Sequence, residues 1–406
     1  MLALTSIWTT ILLAAAVALG PLAMDMYLPA LPALRDSLAT STDQVQLTLS
    51  IYMVGFALAQ LICGPLADRF GRKPVMVGGF VLFALASIGC ALASSIETLL
   101  LCRFLQAFGG SAGPVLGRAA VRDIYTPREA ARIMAILASI MALAPAIAPT
   151  LGGLLLGSFG WPAIFLALGG YALVMAVVVA VGIPEPLAPA NRQSLRLGSL
   201  WRNYRSIGVD PSFLGYTLTN AFTFGGLFAF LSGASFVLID FLGVQPRHFG
   251  YYFALVVAGY IAGNLAAVRL GSRLPPDRIM ARGIALCVAG GLAGAALAVM
   301  EVYHVMATMA PQVLFMVGVG MILPQTLAGA LANFPHMAGS ASALLGFIQM
   351  SLAALLGMLV GQLHSGTPLV MTTVIGGCSL ATLLTYRLLV QRHPAPGFEP
   401  LSAHPA

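Results

Sequence analysis

The chain has 406 residues, of which 59% are hydrophobic and only 8% charged, with a formal charge of +7 and a mean hydropathy of +0.93. A soluble globular chain carries about 25% charged residues, so this one lacks the polar surface to stay dispersed in water, and a bilayer is its expected solvent. The positive balance, which in a soluble protein would raise nucleic acid as a partner, reads here as arginine in short loops beside membrane lipid.

A membrane helix needs about 20 mostly apolar residues, and the charges mark where each one ends. The first apolar run, Ile7 to Met24, has no basic leader and is too long for a signal peptide, so it predicts a first span ending at Asp25. The second span is expected from Gln44 to Ala67, the third from Pro74 to Ile96, and the fourth from Thr98 to Gly117 with Arg103 inside it. No charge occurs from Ile133 to Pro184, enough chain for two helices with a turn at Gly157 to Pro162. Next comes a Pro- and Arg-rich stretch with no apolar period, read as a linker over 184–210. Pro211 to Ile239, Phe249 to Val268 and Gly283 to Met300 predict three more spans. The charge-free chain between Glu301 and Arg387 predicts the last three, broken near Asn333 to Met337 and near His364 to Pro368. The reading is an all-α polytopic membrane protein of twelve transmembrane helices in two pseudo-symmetric six-helix bundles, 1–183 and 211–392, with a disordered cytoplasmic tail over 393–406.

The basic residues test this topology. With both termini in the cytoplasm, the inner loops hold Arg69, Arg72 and Lys73, then Arg118, Arg122, Arg128 and Arg132, then Arg192, Arg196, Arg202 and Arg205, then Arg269, Arg273, Arg278 and Arg282, and the tail holds Arg387 and Arg392. Only Arg35, Arg103 and Arg247 fall elsewhere, which supports both the count and the orientation. Paired halves suggest an internal duplication of the kind found in secondary transporters. A faint echo aligns Gly110 and Pro114 with Gly320 and Pro324 at an offset of 210 residues. Cys63, Cys90, Cys102, Cys287 and Cys378 lie inside apolar runs without a CxxC pair, and read as small core residues.

The loop after span two reads GPLADRFGRKP, Gly64 to Pro74. Gly64 and Gly71 suit a tight turn. Asp68 stands at a helix end, where it can meet backbone amides, and Arg69, Arg72 and Lys73 can hold that carboxylate or lipid headgroups. This spacing resembles the loop signature called motif A of the major facilitator superfamily, whose members have twelve spans in two halves. The resemblance implies a gate latch that steadies one transport state by clasping helices of both halves, with Asp68 as its carboxylate. RFLQAFGGSAG, from Arg103, is similar to the family pattern R-x-x-Q-G-x-G, with Ala107 in place of a Gly. APAIAPTLGG is similar to the antiporter pattern of span five, with Pro149, Gly152 and Gly153 matching, Ala148 replacing a Gly, and Pro145 adding a second bend one turn earlier. MDMYLPALPAL, Met24 to Leu34, resembles the first span of the bicyclomycin/chloramphenicol-resistance (Bcr/CflA) branch of drug–proton antiporters. That resemblance covers roughly residues 10 to 395 and implies export of small drugs across the bacterial inner membrane, coupled to protons.

Asp25 and Arg103 are the charges well inside the spans of the first half, and an ionisable residue at membrane depth is a functional candidate by default. A carboxyl in apolar surroundings that an arginine approaches or leaves ties protonation to conformation, and a cationic drug competes there with the proton. Other readings stay open: Asp25 as a water-capped helix end, Arg103 as a brace on backbone carbonyls. Tyr27, Tyr52, Gln60, Asn220, Phe222, Phe224, Gln325 and Gln349 are candidates to line a central cavity, since aromatic and amide groups suit varied ligands. Asp240, His248, Glu301 and His304 read as loop residues or span ends.

Lys73 is the only lysine and Pro74 follows it, so no ATP-binding P-loop G-x-x-x-x-G-K-[ST] is present. No metal-ligand spacing or hydrolase signature occurs either, and no cofactor or metal is expected. The expected partners are small-molecule drugs or metabolites, protons and lipids, with the chain acting as a monomer. An exporter of an endogenous metabolite is the main alternative. A polytopic membrane enzyme is disfavoured, because no third polar group joins Asp25 and Arg103.

Overall fold

The computed structural model describes residues 7–187, 197–334, 337–363 and 366–396, all helix and short connections with no strand among them. Helix α1 (Ile7–Asp25) stops at Asp25, and a single 3-10 turn, Leu28–Ala30, leads into α2 (Leu31–Ser37). Together they form span one as a broken helix. Then follow α3 (Thr42–Phe70), α4 (Arg72–Ala91), the pair α5 (Ile96–Gly110) and α6 (Ala112–Ile124) that make span four, α7 (Pro127–Phe159) and α8 (Pro162–Gly182). After α9 (Leu197–Gly208) come α10 (Pro211–Ser235), α11 (Pro246–Gly271), α12 (Pro276–Val299), α13 (Val305–Ala332), α14 (Ala338–Gln362) and α15 (Leu369–Thr385). Short π-helical turns extend α10 through Phe241 and α15 through Val390. Eleven spans are long and apolar enough to cross a membrane among the described residues. The 33-residue α7, apolar from Leu143 to Phe159, supplies the twelfth.

Helix starts follow from local chemistry. Thr126 and Glu129 form a reciprocal capping box ahead of α7. Asp210 accepts the Phe213 amide at 2.7 Å with Pro211 in the first turn of α10.

The chain divides into two compact units, residues 1–196 with Gln245–Gly250, and residues 197–244 with Tyr251–Ala406. Each has the same internal plan. In the first, α1 packs on α6, α7 and α8, and α4 packs on α5 and α8. In the second, α10 packs on α13, α14 and α15, and α12 packs on α13 and α15. Numbered as spans, the first of six meets the fourth, fifth and sixth, and the third meets the fourth and sixth, in both units. The shared plan agrees with duplication far more clearly than the faint sequence echo.

Three details differ from the sequence reading. The linker contains a helix, α9, because Leu197, Leu200, Trp201, Tyr204 and Ile207 recur at helical spacing and outweigh the polar composition. Ile207 is buried, and Gly208 meets Leu344 of α14. Several loop arginines lie inside helices instead: Arg118 and Arg122 in α6, Arg278 and Arg282 in α12. Helical hydrogen bonding runs on past the apolar stretch that marks a span. The tail holds its place through residue 396: Ala395 is buried and its amide donates to the Tyr216 hydroxyl at 3.3 Å. Arg192, Arg196, His336, His364 and residues 397–406 lie outside the described residues.

The second unit ties the end of its last span to the start of its third. The Tyr386 hydroxyl donates to the Asp277 carboxylate at 2.8 Å and meets the Gln391 amide at 3.1 Å. Tyr386→Phe removes this bond to a charged acceptor and is expected to lower stability by about 1 kcal/mol. Thermal unfolding in detergent checks it, and an unchanged Tm would show that the pin contributes nothing.

Candidate functional site

The loop signature joins α3 to α4 in one residue. Gly64 lies inside α3 with open space around it, so it does not form the turn, as the sequence reading supposed; the helix simply continues through it. Gly71 makes the turn alone, with φ of 105°, a backbone angle that side chains disfavour. A Cβ there would also strike the carboxylate of Glu185, which sits just after α8 and accepts the amides of Arg72 at 2.8 Å and Lys73 at 3.1 Å. These are two of the unpaired amides at the positive N-terminus of α4, where a carboxylate is favoured. In each unit, then, the end of the sixth span pins the start of the third. Around this cap, Arg72 pairs with Asp68 at 2.6 Å and with Asp123 of α6 at 2.8 Å. Arg69 stacks on Phe70. Glu185 and Asp123 did not stand out in the sequence, where each is one more charge in a basic loop.

The second site lies at the break in span one. Asp25 is the last residue of α1 and is 4% exposed. The span runs from Trp8 to Ser37, which places Asp25 near its middle instead of at a water-capped end. Arg103 of α5 is wholly buried. Its guanidinium carbon lies 4.2 Å from the ring centres of both Tyr27 and Tyr52, and 5.9 Å from that of Phe165. Its Nη1 donates to the Ala23 carbonyl at 3.2 Å and to Gln106, whose amide donates to Ser87 at 2.7 Å. Ala23 is in the last turn of α1, where carbonyls lack helical donors and the helix end carries partial negative charge. Desolvating a guanidinium costs several kcal/mol; two desolvated ring contacts at about 2 kcal/mol each offset much of that. None of the hydrogen bonds of Arg103 reaches Asp25, and the ion pairs of the described residues do not include Asp25.

The prolines and glycines of span five meet this same break. Pro145 and Pro149 stand inside α7. Gly152 lies against the Met26 carbonyl so closely that a Cβ would overlap it, and Gly153 lies against the Pro246 carbonyl in the segment that belongs to the first unit. The antiporter-like pattern thus sets α7 on the residue after Asp25.

Of the candidate cavity residues, Tyr27 and Tyr52 face Arg103. Asn220 is buried and donates to Thr326 at 2.8 Å. Gln60, Phe222, Phe224, Gln325 and Gln349 are half-buried. Asp240 and His248 are exposed, Glu301 is in a turn at φ 57°, and His304 caps α13. The cavity beside Gln312, Thr308 and Thr372 in the second unit, at about 10 Å³, has room for one water. All five cysteines are free, four of them buried.

Two substitutions test this geometry. Gly152→Ala is expected to cost roughly 1–3 kcal/mol by overpacking, read as a lowered Tm, and wild-type stability would show that α7 moves away freely. Gly71→Ala combines a disfavoured φ with loss of the Glu185 seat and should destabilise by about 1–3 kcal/mol. Glu185→Ala in that background should add little, because the seat is already lost; a fully additive loss would count against the shared seat.

The comparisons with known proteins agree with this architecture. The model of the Major Facilitator Superfamily matches residues 13–358. A bicyclomycin resistance protein homolog of Haemophilus influenzae is 32% identical over 376 residues, covering 92% of this chain and 94% of that protein. A chloramphenicol resistance protein of Pseudomonas aeruginosa is 35% identical over 338 residues, covering 82% and 79%. The crystal structure of a D-xylose-proton symporter superposes with a TM-score of 0.75 at 14% identity, over 98% of this chain and 99% of that one, which bears on the fold alone. The chain is a transporter and not an enzyme: it belongs to the major facilitator superfamily and, within it, to the bicyclomycin/chloramphenicol-resistance (Bcr/CflA) branch of drug transporters.

Proposed function

We propose that the protein exports small drug-like molecules across the bacterial inner membrane by alternating access, in exchange for protons, with Asp25 binding proton and substrate in turn. The observation that carries this reading is a buried carboxyl near the middle of a broken span, with a buried arginine held on the Ala23 carbonyl two residues before it. A carboxyl so placed is free to exchange a proton for a cation, and each ligand then favours a different state. The resistance proteins among its relatives favour drugs over endogenous metabolites as cargo. Lacking a P-loop, the chain draws on the proton gradient and needs no cofactor. The arginine asymmetry favours cytoplasmic termini, and the two units of one chain supply both halves of a transporter, so a monomer suffices.

The test uses everted membrane vesicles energised to an acid interior, a panel of drugs, wild type and Asp25→Asn. Added drug is expected to dissipate the pH gradient in wild type and not in the variant. Dissipation in both would exclude Asp25 as the proton carrier. No response to any drug would move the cargo to metabolites.

A further inference from the structure

We propose that Tyr27 and Tyr52 are positioning residues that clamp Arg103 between their ring faces, so that the cation stays inside the first unit without taking Asp25 as its partner. The inference rests on Asp25 exchanging proton and substrate, as proposed above, and gives the two tyrosines a role other than lining a cavity.

The geometry is specific. Both rings are buried, and both centres stand at the same 4.2 Å from the guanidinium carbon. Each tyrosine is pinned by its hydroxyl: Tyr27 bonds Thr48 at 3.1 Å, and Tyr52 donates to the Gly20 carbonyl at 3.4 Å. Further rings back them, Phe165 at 5.8 Å from Tyr27 and Phe56 at 6.2 Å from Tyr52. Trp161 packs edge-on against Phe165. Burial and the backing rings hold the faces toward the cation, with the hydroxyl bonds as a second tie.

A ring face attracts a cation without neutralising it. A carboxylate in that place would cancel the charge and fill the donors. Instead, Nε and Nη2 of Arg103 have no hydrogen-bond partner among the described residues. Arg103 thus presents a fixed positive charge and spare donors at the end of α1, where Asp25 lies two residues beyond Ala23. Among the titratable groups on the helices packed around it, Arg103 interacts electrostatically with Tyr27, Tyr52 and Cys90, and Asp25 with Tyr52. The other titratable groups on these helices are Asp43, Cys63, Asp68 and Arg69 on α3, Arg72 and Lys73 on α4, Glu97 and Cys102 on α5, Arg118, Arg122 and Asp123 on α6 and Tyr171 on α8, and α7 carries none from Ile133 to Phe159. Asp25 is the one buried carboxylate among the described residues, two positions along α1 from the carbonyl that Arg103 already meets, and without the rings the guanidinium is expected to take it as a partner.

The test compares Tyr27→Leu, Tyr52→Leu, Tyr27→Phe and Tyr52→Phe with wild type, purified in detergent. The probe is tetraphenylphosphonium, a lipophilic monocation, with its affinity measured at pH 6 and pH 8. Wild type should bind more tightly at pH 8, by as much as about a hundredfold, the limit for one linked proton over two pH units. The Leu variants should lose this ratio, because Arg103 then occupies Asp25 at both pH values; the Phe variants keep the ring face and should retain it. A merely structural role would lower the yield of folded protein and leave the ratio alone. Leu variants with the wild-type ratio, or Phe variants that lose it, would overturn the clamp. A wild type with no ratio would instead overturn the role of Asp25. The clamp is then decided by a thermal double-mutant cycle of Arg103→Met with Tyr52→Leu, where coupling supports it and strict additivity overturns it.

Discussion

A guanidinium in the interior of a membrane bundle must be held, and most of the first unit near Arg103 is arranged to hold it. The cheapest partner for a buried cation is a carboxylate, but a permanent ion pair would leave no chemistry. This chain uses two ring faces, one amide and one backbone carbonyl. The carbonyl is available only because α1 ends at Asp25, where the last turn has lost its helical donors. The break in span one, the stack of tyrosines and the lone carboxyl are therefore consequences of a single constraint: where the positive charge is kept.

The two units share a plan but not their polarity. The first contains the membrane-depth charges, Asp25 and Arg103. In the second, several buried polar groups bond to one another or to backbone, Asn220 to Thr326, Thr219 to Thr385, and Thr223 to the Thr219 carbonyl, while Ser212, Thr217 and Gln312 each bury an unpaired side-chain atom. Hydroxyls that return a bond to their own helix cost little to bury. The shared plan tolerates either filling, so buried charge is confined to one half.

The spans, the orientation and the two buried charges were legible in the sequence because an oily chain gives isolated charges nowhere to hide. What stayed illegible depends on three-dimensional partners. Gly64 and Gly71 are the same residue seven positions apart, yet only Gly71 takes a left-handed angle, because Glu185 occupies the space a Cβ would need. Glu185 itself lies 112 positions from the Lys73 amide it caps, and no local pattern marks it. Tyr27 and Tyr52 looked like cavity residues because an aromatic in a membrane helix suits many neighbours, and the sequence does not say which. The α9 helix was hidden by its polar composition, although its apolar spacing was present.

The placement of the antiporter-like glycines gives the break in span one a second grip. Arg103 holds Ala23, before Asp25, and Gly152 lies against Met26, after it. These contacts come from different helices, α5 and α7, which do not depend on each other for their packing on α1. The close approach at Gly152 leaves no side chain between the two backbones, so a small shift of α7 is passed to the Met26 carbonyl without slack. The Arg103 side is fixed by aromatic rings anchored on α3 and α8. A shift of α7 against that anchor therefore changes the setting of Asp25 relative to Arg103, and this is the kind of local displacement through which a conformational change can alter a carboxyl without disturbing the bundle that surrounds it.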